Sequence, residues 1–328
     1  MKFYITGERG LISRNLKAVL EARKHEVVSD VELFEEVDFA KFPRTGEACV
    51  HRNGEDVWAK ALYDNDIDVV IHNAAVVGTD VVALDPAEAT LSNLQGTYNI
   101  VRAANKANAA VCYLGTTVIY DTAMYQKEPI FEDSVKAPKT YYGVQKLAAE
   151  QVVTSTAKKW NIVRPLFAYG GLGDMNSLIA KSIYASLNDR SVDMFLDPTK
   201  VKDYLHVSDF CGAVELVCRD IMGPGWGTDW NVAAETPVPA SGVVDEIEKI
   251  LPGTRDRIKW HPGTDYLGNH QLTSWKIRTK LGWKPSLDLS QGILQTLEWI
   301  RGASDYNPLK YLDEAAARKV DLLEHFPK

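Results

Sequence analysis

Lys2-Phe3-Tyr4-Ile5-Thr6-Gly7-Glu8-Arg9-Gly10-Leu11-Ile12-Ser13-Arg14-Asn15-Leu16 is the stretch that decides the fold. A short apolar run of strand character, Lys2 to Ile5, stops at Thr6-Gly7. Apolar positions then recur at Leu11, Ile12, Leu16, Val19 and Leu20, the spacing of one helix face. A strand that passes into a helix through Gly-x-x-Gly is where a dinucleotide fold needs a turn free of side chains. The pyrophosphate then rests on the N–H groups at the helix start, here Leu11 and Ile12. A tight βα turn that binds nothing has the same outline. Ser13 stands at the third glycine position and is expected to hold the helix slightly farther from the strand.

Working outward, the first half alternates strand and helix signals. A second strand reads through Glu26-Val27-Val28-Ser29 and a fourth through Asp68-Val69-Val70-Ile71-His72. One long helix is expected after Pro86, through Leu91, Leu94, Tyr98, Val101 and Ala104. A strand at Val111-Cys112-Tyr113-Leu114, a helix from about 141 to 157 and a strand at Asn161-Ile162-Val163-Arg164 follow. Strands alternating with helices of this length predict an α/β fold with a doubly wound parallel sheet. Beyond about 171 the turn signals become denser, at Pro198, Gly223-Pro224-Gly225, Pro237-Val238-Pro239, Pro252-Gly253 and Pro262-Gly263. The expected division is a Rossmann-like domain over 1–170, rejoined by about 201–230, and a smaller mixed α/β cap over 171–328, whose tail from Pro308 reads as helical.

Composition removes several function classes. The 328 residues are 45% hydrophobic and 25% charged, an ordinary globular mix that suits about two domains. The net charge of -7, from 37 basic and 44 acidic residues, is spread with no basic run, so phosphate neutralisation on nucleic acid has no footprint. No apolar stretch reaches the length of about 18 residues that a membrane span requires. The N-terminus reads as entering a strand at once, so no signal peptide is expected. Cys49, Cys112, Cys211 and Cys218 form no C-x-x-C pair and have no histidine at zinc spacing, so no metal is expected. They read as small core hydrophobes in a reducing cytosol.

Around the glycine turn, Asp30 follows the second strand and suits the adenosine ribose hydroxyls, while Asp38 suits an adenine amine. Asp30, Glu32, Glu35, Glu36 and Asp38 include no cation among them, and a 2′-phosphate there would meet like charge. Arg9 pulls the other way, since it could face such a phosphate. The carboxylates favour NAD, with NADP still open.

Tyr142-Gly143-Val144-Gln145-Lys146 places a phenol and an ammonium four residues apart on one helix face. An ammonium near a phenol favours phenolate and draws a tyrosine down from its reference of about 10. Tyr142 is then a general acid/base, with Lys146 as tuner and ribose ligand. Tyr-x-x-x-Lys also arises by chance, as a surface lysine beside a half-buried tyrosine. Context decides: Gly115-Thr116-Thr117 follows a strand on the carboxyl edge of the sheet, where Thr116 can hydrogen-bond a substrate oxygen.

Glycine turn, hydroxyl and Tyr-x-x-x-Lys in this order resemble an extended short-chain dehydrogenase/reductase of the nucleotide-sugar epimerase/dehydratase group. The resemblance runs along almost the whole chain. It includes Thr6 to Ser13, Asn73-Ala74-Ala75, Asn93 to Thr97, Thr116, Tyr142, Lys146 and Arg164-Pro165. It continues through Lys202-Asp203-Tyr204-Leu205-His206-Val207-Ser208-Asp209 and Leu281-Gly282-Trp283-Lys284-Pro285. It implies a bound NAD(P) held by Gly7, Arg9, Gly10, Leu11, Ile12, Asp30, Asp38, Ala74, Ala75, Asn93, Tyr142 and Lys146. It further implies hydride chemistry by Thr116, Tyr142 and Lys146, a cap holding a nucleotide sugar, and a homodimer through helices near 86–106 and 141–157.

The same resemblance narrows the reaction. Dehydratases of the group carry Asp-Glu after the catalytic hydroxyl, decarboxylases keep the Glu, and the epimerase-reductases place a Cys at the second position. Here Thr117 and Val118 do none of that work. Hydride and proton transfer at one carbinol carbon survives, as a 4-epimerase or a 4-keto-6-deoxysugar reductase. The stretch Arg164 to Gly170 resembles the reductases. A dehydrogenase acting on a non-sugar alcohol, and a dinucleotide-binding regulator without chemistry, are the readings outside that pair. Phe167 replaces an Asn that touches the diphosphate, and Lys202 replaces an Arg, keeping charge without the bidentate fork. Asn176, Lys181 and Arg190 are further diphosphate candidates, and His206 reads as structural.

Overall fold

The computed structural model describes residues 1–28, 55–171, 174, 177–262 and 267–302. In chain order its strands are β1 (Lys2–Thr6), β2 (Glu26–Val28), β3 (Val69–His72), β4 (Ala110–Leu114), β5 (Trp160–Pro165), β6 (Ala168–Tyr169), β7 (Val192–Met194), β8 (Val201–Lys202), β9 (Leu205–His206), β10 (Thr228–Val232), β11 (Val238–Pro239) and β12 (Ile258–Trp260). Its α-helices are α1 (Leu11–Ala22), α2 (Glu55–Asp64), α3 (Thr79–Leu84), α4 (Pro86–Thr90), α5 (Thr97–Ala107), α6 (Tyr141–Thr156), α7 (Leu178–Leu187), α8 (Val207–Met222), α9 (Ala240–Ile250), α10 (Trp275–Leu281) and α11 (Leu289–Gly302).

Six strands form one sheet in the order β10-β5-β4-β3-β1-β2, every neighbouring pair parallel. Successive side chains of a strand face opposite ways, and both faces of a parallel sheet are covered, so its strands are mostly apolar on both faces, with Asn161, Arg164 and Asn231 buried among them as polar exceptions. Phe3, Ile5, Val69, Ile71, Cys112 and Leu114 enter one core with Leu16 and Leu20 of α1 and Phe210, Val214 and Val217 of α8. Tyr4, Val70, Val111 and Tyr113 enter the other with Trp58 and Leu62 of α2, Ile100 and Ala104 of α5, and Ala149 and Val153 of α6. Each fully buried Leu, Ile or Phe among them stabilises the layers by about 1.5–3 kcal/mol.

The strand order reverses beside β1, whose neighbours are β2 and β3. In open sheets of this order, ligands bind at such a switch point, outside the carboxyl ends of the strands. Beyond β6, α7, α9 and α11 pack around Ile179, Ile183, Val243, Ile247, Ile293 and Leu297, with β7–β12 parallel and β8–β11 antiparallel. Two segments singled out in the sequence meet here. Trp283 Nε1 donates to the Asp209 carbonyl at 3.3 Å, and the Asp209 carboxylate accepts from the Ser286 and Leu287 N–H groups at 3.0 and 3.1 Å. His206 caps α8, its Nδ1 accepting from Ser208 N at 3.3 Å, the structural place expected of it.

The long helix expected after Pro86 is three pieces: α4, a π-helical turn over Leu91–Gly96, and α5. Thr97 Oγ1 donates to the Asn93 carbonyl at 2.8 Å, taking an acceptor that the α-helical ladder would otherwise use. Apolar spacing does not report such a widening. The strand counted fourth in the sequence is third among the described residues. The sequence reading of 29–54 and of the tail from Pro308 lies outside them.

Candidate active site

The glycine turn is built by close approach. Gly7 has φ +71°, and a Cβ there would lie 3.0 Å from Ala74 Cα, so the ends of β1 and β3 meet only because this residue has no side chain. Gly10 N donates to the Gly7 carbonyl at 3.0 Å and closes the turn. No side chain caps α1, and its first turn carries no acid. That leaves the helix start open to an anion. Ser13 is buried: its hydroxyl bonds the Thr6 carbonyl at 3.4 Å and accepts from Asn73 Nδ2 at 2.7 Å, bridging both strand ends. Arg9 is exposed beside the turn, Leu11 and Ile12 are half-buried, and Ala74 and Ala75 are buried. Asp30 and Asp38 lie outside the described residues.

Behind the turn runs a buried polar chain that the sequence reading missed. Thr6 Oγ1 accepts from the Asn73 and Ala74 N–H groups at 3.1 and 2.9 Å and lies 2.8 Å from His72 Nδ1. His72 Nε2 lies 3.0 Å from Thr97 Oγ1, which spends its own proton on Asn93. These partners assign the neutral Nε2–H tautomer. Burial, reinforced by the Lys146 charge, holds the His72 pKa down at about 3 against an ordinary 6.5. The unfolded chain protonates His72 below that ordinary value while the native chain does not. The stability carried by neutral His72 is therefore complete above about pH 6.5 and drains away as pH falls toward 3. Denaturant midpoints at neutral and mildly acid pH should fall more steeply for the wild type than for His72→Gln, and parallel losses would remove His72 as the cause.

The third component sits on α6. Thr140 Oγ1 caps the helix by accepting from Gly143 N at 3.1 Å. Tyr142, Gln145, Lys146, Ala149, Glu150 and Val153 form its buried face, at helical spacing. Lys146 Nζ donates to the Leu114 carbonyl at 2.8 Å and lies 4.2 Å from the Tyr113 ring centre. Burial pulls its ammonium down to about 7, with the Glu150 charge working against that fall. Tyr142 packs with Val82, Ala89, Val76 and Val118. Gly143 is so near the turn that a Cβ would lie 2.8 Å from the Val118 carbonyl. Thr116 is half-buried and caps the 3-10 turn Thr117–Ile119, of which Thr117 is buried. Lys146 thus reaches the chain two residues before Thr116 and Tyr142 touches it two residues after, all at the carboxyl end of β4.

Arg164 points into the protein. Its guanidinium makes two 2.8 Å contacts to the Glu150 carboxylate and one to Asp229, and donates to the Tyr120 hydroxyl at 2.8 Å. Gly115 makes room for this network, since a Cβ there would lie 2.6 Å from Glu150 Oε1. Phe167 has φ +36°, a strained conformation for a side chain of its size. Its ring stands edge-on to His270 at 5.8 Å, 6.0 Å from Tyr204, and 5.6 Å from the Nζ of buried Lys202. Lys181 is half-buried on α7, Arg190 is exposed beyond it, and Asn176 lies outside the described residues.

The chemistry open to this arrangement is proton transfer by the Tyr142 phenol, with Thr116 and the uncapped start of α1 at the carboxyl edge of the same sheet. Asn93 was expected to meet the cofactor. Its side chain is 1% exposed, and its amide holds the Val76 backbone, accepting from N at 2.8 Å and donating to the carbonyl at 3.1 Å.

A family model described as the NAD dependent epimerase/dehydratase family matches residues 3–233. A dTDP-glucose 4,6-dehydratase of Mycolicibacterium smegmatis is 24% identical over 333 residues, 96% of this chain and 98% of that protein. The crystal structure of a dTDP-glucose 4,6-dehydratase from Bacillus anthracis in complex with NAD superposes with a TM-score of 0.77 at 18% identity, covering 95% of this chain and 99% of that one. A UDP-glucose 4-epimerase from Thermotoga maritima with UDP-glucose gives 0.76 at 20% identity, covering 92% and 99%. At such identities these structures share the fold.

Proposed function

The chain belongs to the NAD-dependent epimerase/dehydratase family, and from that premise we propose that it is a nucleotide-sugar 4-epimerase working at one carbinol carbon. The observation that carries the reading is the composition of the turn beside Tyr142. Thr116 offers a hydroxyl, and the next two positions, Thr117 and Val118, offer neither a carboxyl nor a thiol. By resemblance to the group, dehydration requires an acid/base pair there. The dehydratases among the relatives therefore share this chain's frame without sharing its reaction.

The residues fit a dinucleotide. Gly7 lets the turn close against Ala74, where a Cβ would clash, and the uncapped start of α1 presents N–H groups to a diphosphate. NAD, when bound, supplies the hydride acceptor and donor. Tyr142 takes the proton of the sugar hydroxyl as the carbinol is oxidised and returns it on reduction, Thr116 orients the oxygen, and Lys146 binds the ribose and holds positive charge near the phenol. Lys202, Phe167 and Lys181 are assigned to the nucleotide diphosphate in this reading, while Asn176 lies outside the described residues. Leu91, Tyr98, Tyr141 and Val144 are 41–51% exposed on the helical runs of the same half of the chain. We assign that apolar face to a second copy, as a homodimer.

A 4-keto-6-deoxysugar reductase is the second reading, favoured by the stretch from Arg164 to Gly170. Protein purified without added cofactor, then denatured, separates the two. Stoichiometric released NAD, with interconversion of a UDP- or GDP-hexose and its C4 epimer at constant total NADH, is the expected result. An empty site that tightens on NADPH, with consumption of reduced cofactor by a 4-keto sugar, would overturn it in favour of the reductase.

A further inference from the structure

Gln145 lies between the two residues of the Tyr-x-x-x-Lys spacing and is 2% exposed, yet both ends of its amide are engaged. Its Oε1 accepts from Asn93 Nδ2 at 2.8 Å, and its Nε2 donates to Thr90 Oγ1 at 2.9 Å. Asn93 in turn holds both backbone groups of Val76. Thr90 Oγ1 gives its own proton to the Pro86 carbonyl at 2.7 Å and lies 3.2 Å from the Tyr141 hydroxyl. One continuous set of hydrogen bonds therefore joins the loop after β3, the π-helical turn and the helix that carries Tyr142 and Lys146.

We propose that Gln145 is a positioning residue for the reaction, one that fixes the Tyr142 phenol relative to the loop after β3 by locking α6 to Asn93. The physical reason lies in the kind of contact the amide makes. The cluster of Val76, Val82, Ala89, Tyr142 and Val118 holds these segments together through apolar surface, which resists separation but is non-directional. Two hydrogen bonds from one rigid amide set both the distance and the rotation of the helix face. The π-helical turn presents Asn93 toward Val76 and Gln145 at once, which gives the widening a use. A displacement of about 1 Å at a reacting group can cost about a hundredfold in rate, so the tether acts on turnover more than on binding. The inference rests on Tyr142 acting on a substrate opposite a dinucleotide held at the loop after β3.

The test pairs a structural readout with a kinetic one. Gln145→Met keeps the length and removes both hydrogen bonds. Amide hydrogen exchange in the protein without ligand should quicken at least tenfold at Val76 and stay unchanged at Val70 in β3. On a nucleotide sugar, kcat should fall about ten- to a hundredfold, with KM and the dinucleotide Kd within about threefold. Gln145→Glu adds a signature that simple loss of packing cannot produce. Its carboxyl matches the native donor and acceptor pattern only when protonated, so its kcat should recover as pH falls while the wild type shows no such rise. Unchanged exchange at Val76 overturns the proposal, as does kcat within twofold of the wild type in Gln145→Met. A loss that appears equally in Kd overturns it too, by placing Gln145 in dinucleotide binding. Were the wild type to turn over no nucleotide sugar, the functional reading would fail, and the exchange result would still decide whether the lock exists.

Discussion

Tyr142→Phe should lower kcat by about 10²–10⁴-fold while dinucleotide affinity stays within a few-fold of the wild type. The substitution deletes one hydroxyl and leaves the ring that packs among Val76, Val82, Ala89 and Val118, so the apolar cluster has no cavity to collapse into. A group used only in proton transfer lowers kcat and kcat/KM together, whereas a binding group raises KM. Single-turnover kinetics with a nucleotide hexose, beside fluorescence titration of NADH, would read both. Turnover within tenfold of the wild type would take Tyr142 out of the acid/base role. Intact dinucleotide binding with no turnover by either protein would favour the regulator without chemistry.

The second large effect concerns stability. Arg164→Met should destabilise the fold by about 3–5 kcal/mol, because it strands the buried Glu150 carboxylate without its cation. Glu150 is 2% exposed, and both of its oxygens are engaged by the guanidinium at 2.8 Å. Asp229 is less affected, since it keeps Lys276 at 3.1 Å. The double variant Arg164→Met/Glu150→Gln should be more stable than Arg164→Met alone, because it removes the uncompensated charge along with the pair. Denaturant midpoints at constant m would show the order. A loss below about 1 kcal/mol in the single variant, or a double variant that is the weaker of the two, would mean that solvent reaches Glu150.

That network also explains two sequence features that resemblance alone left as pattern. In the sequence, Arg164-Pro165 is part of the family resemblance and Gly115 only precedes the Thr116 hydroxyl. In the fold, Arg164 serves the interior, and Gly115 leaves space for the carboxylate it binds. Neither role has a local signature, because Glu150 is separated from Arg164 by nearly two helix turns, a loop and most of a strand. A charged residue in an apolar run announces only that it must have a partner, and the chain does not say which.

Legibility therefore divides by the distance over which a contact acts. The apolar periods, the glycine turn between strand and helix and the four-residue step from Tyr142 to Lys146 were readable from the chain, since each is set by backbone geometry within a few residues. So was the covered parallel sheet. What waited for the fold were partners set by strand order and helix packing: His72 between Thr6 and Thr97, Asn93 turned onto Val76, Gln145 tied to Asn93, and Phe167 against His270. Their side chains are ordinary in sequence. They acquire a role only when the fold brings distant segments into contact, where a buried polar group must be satisfied or costs stability.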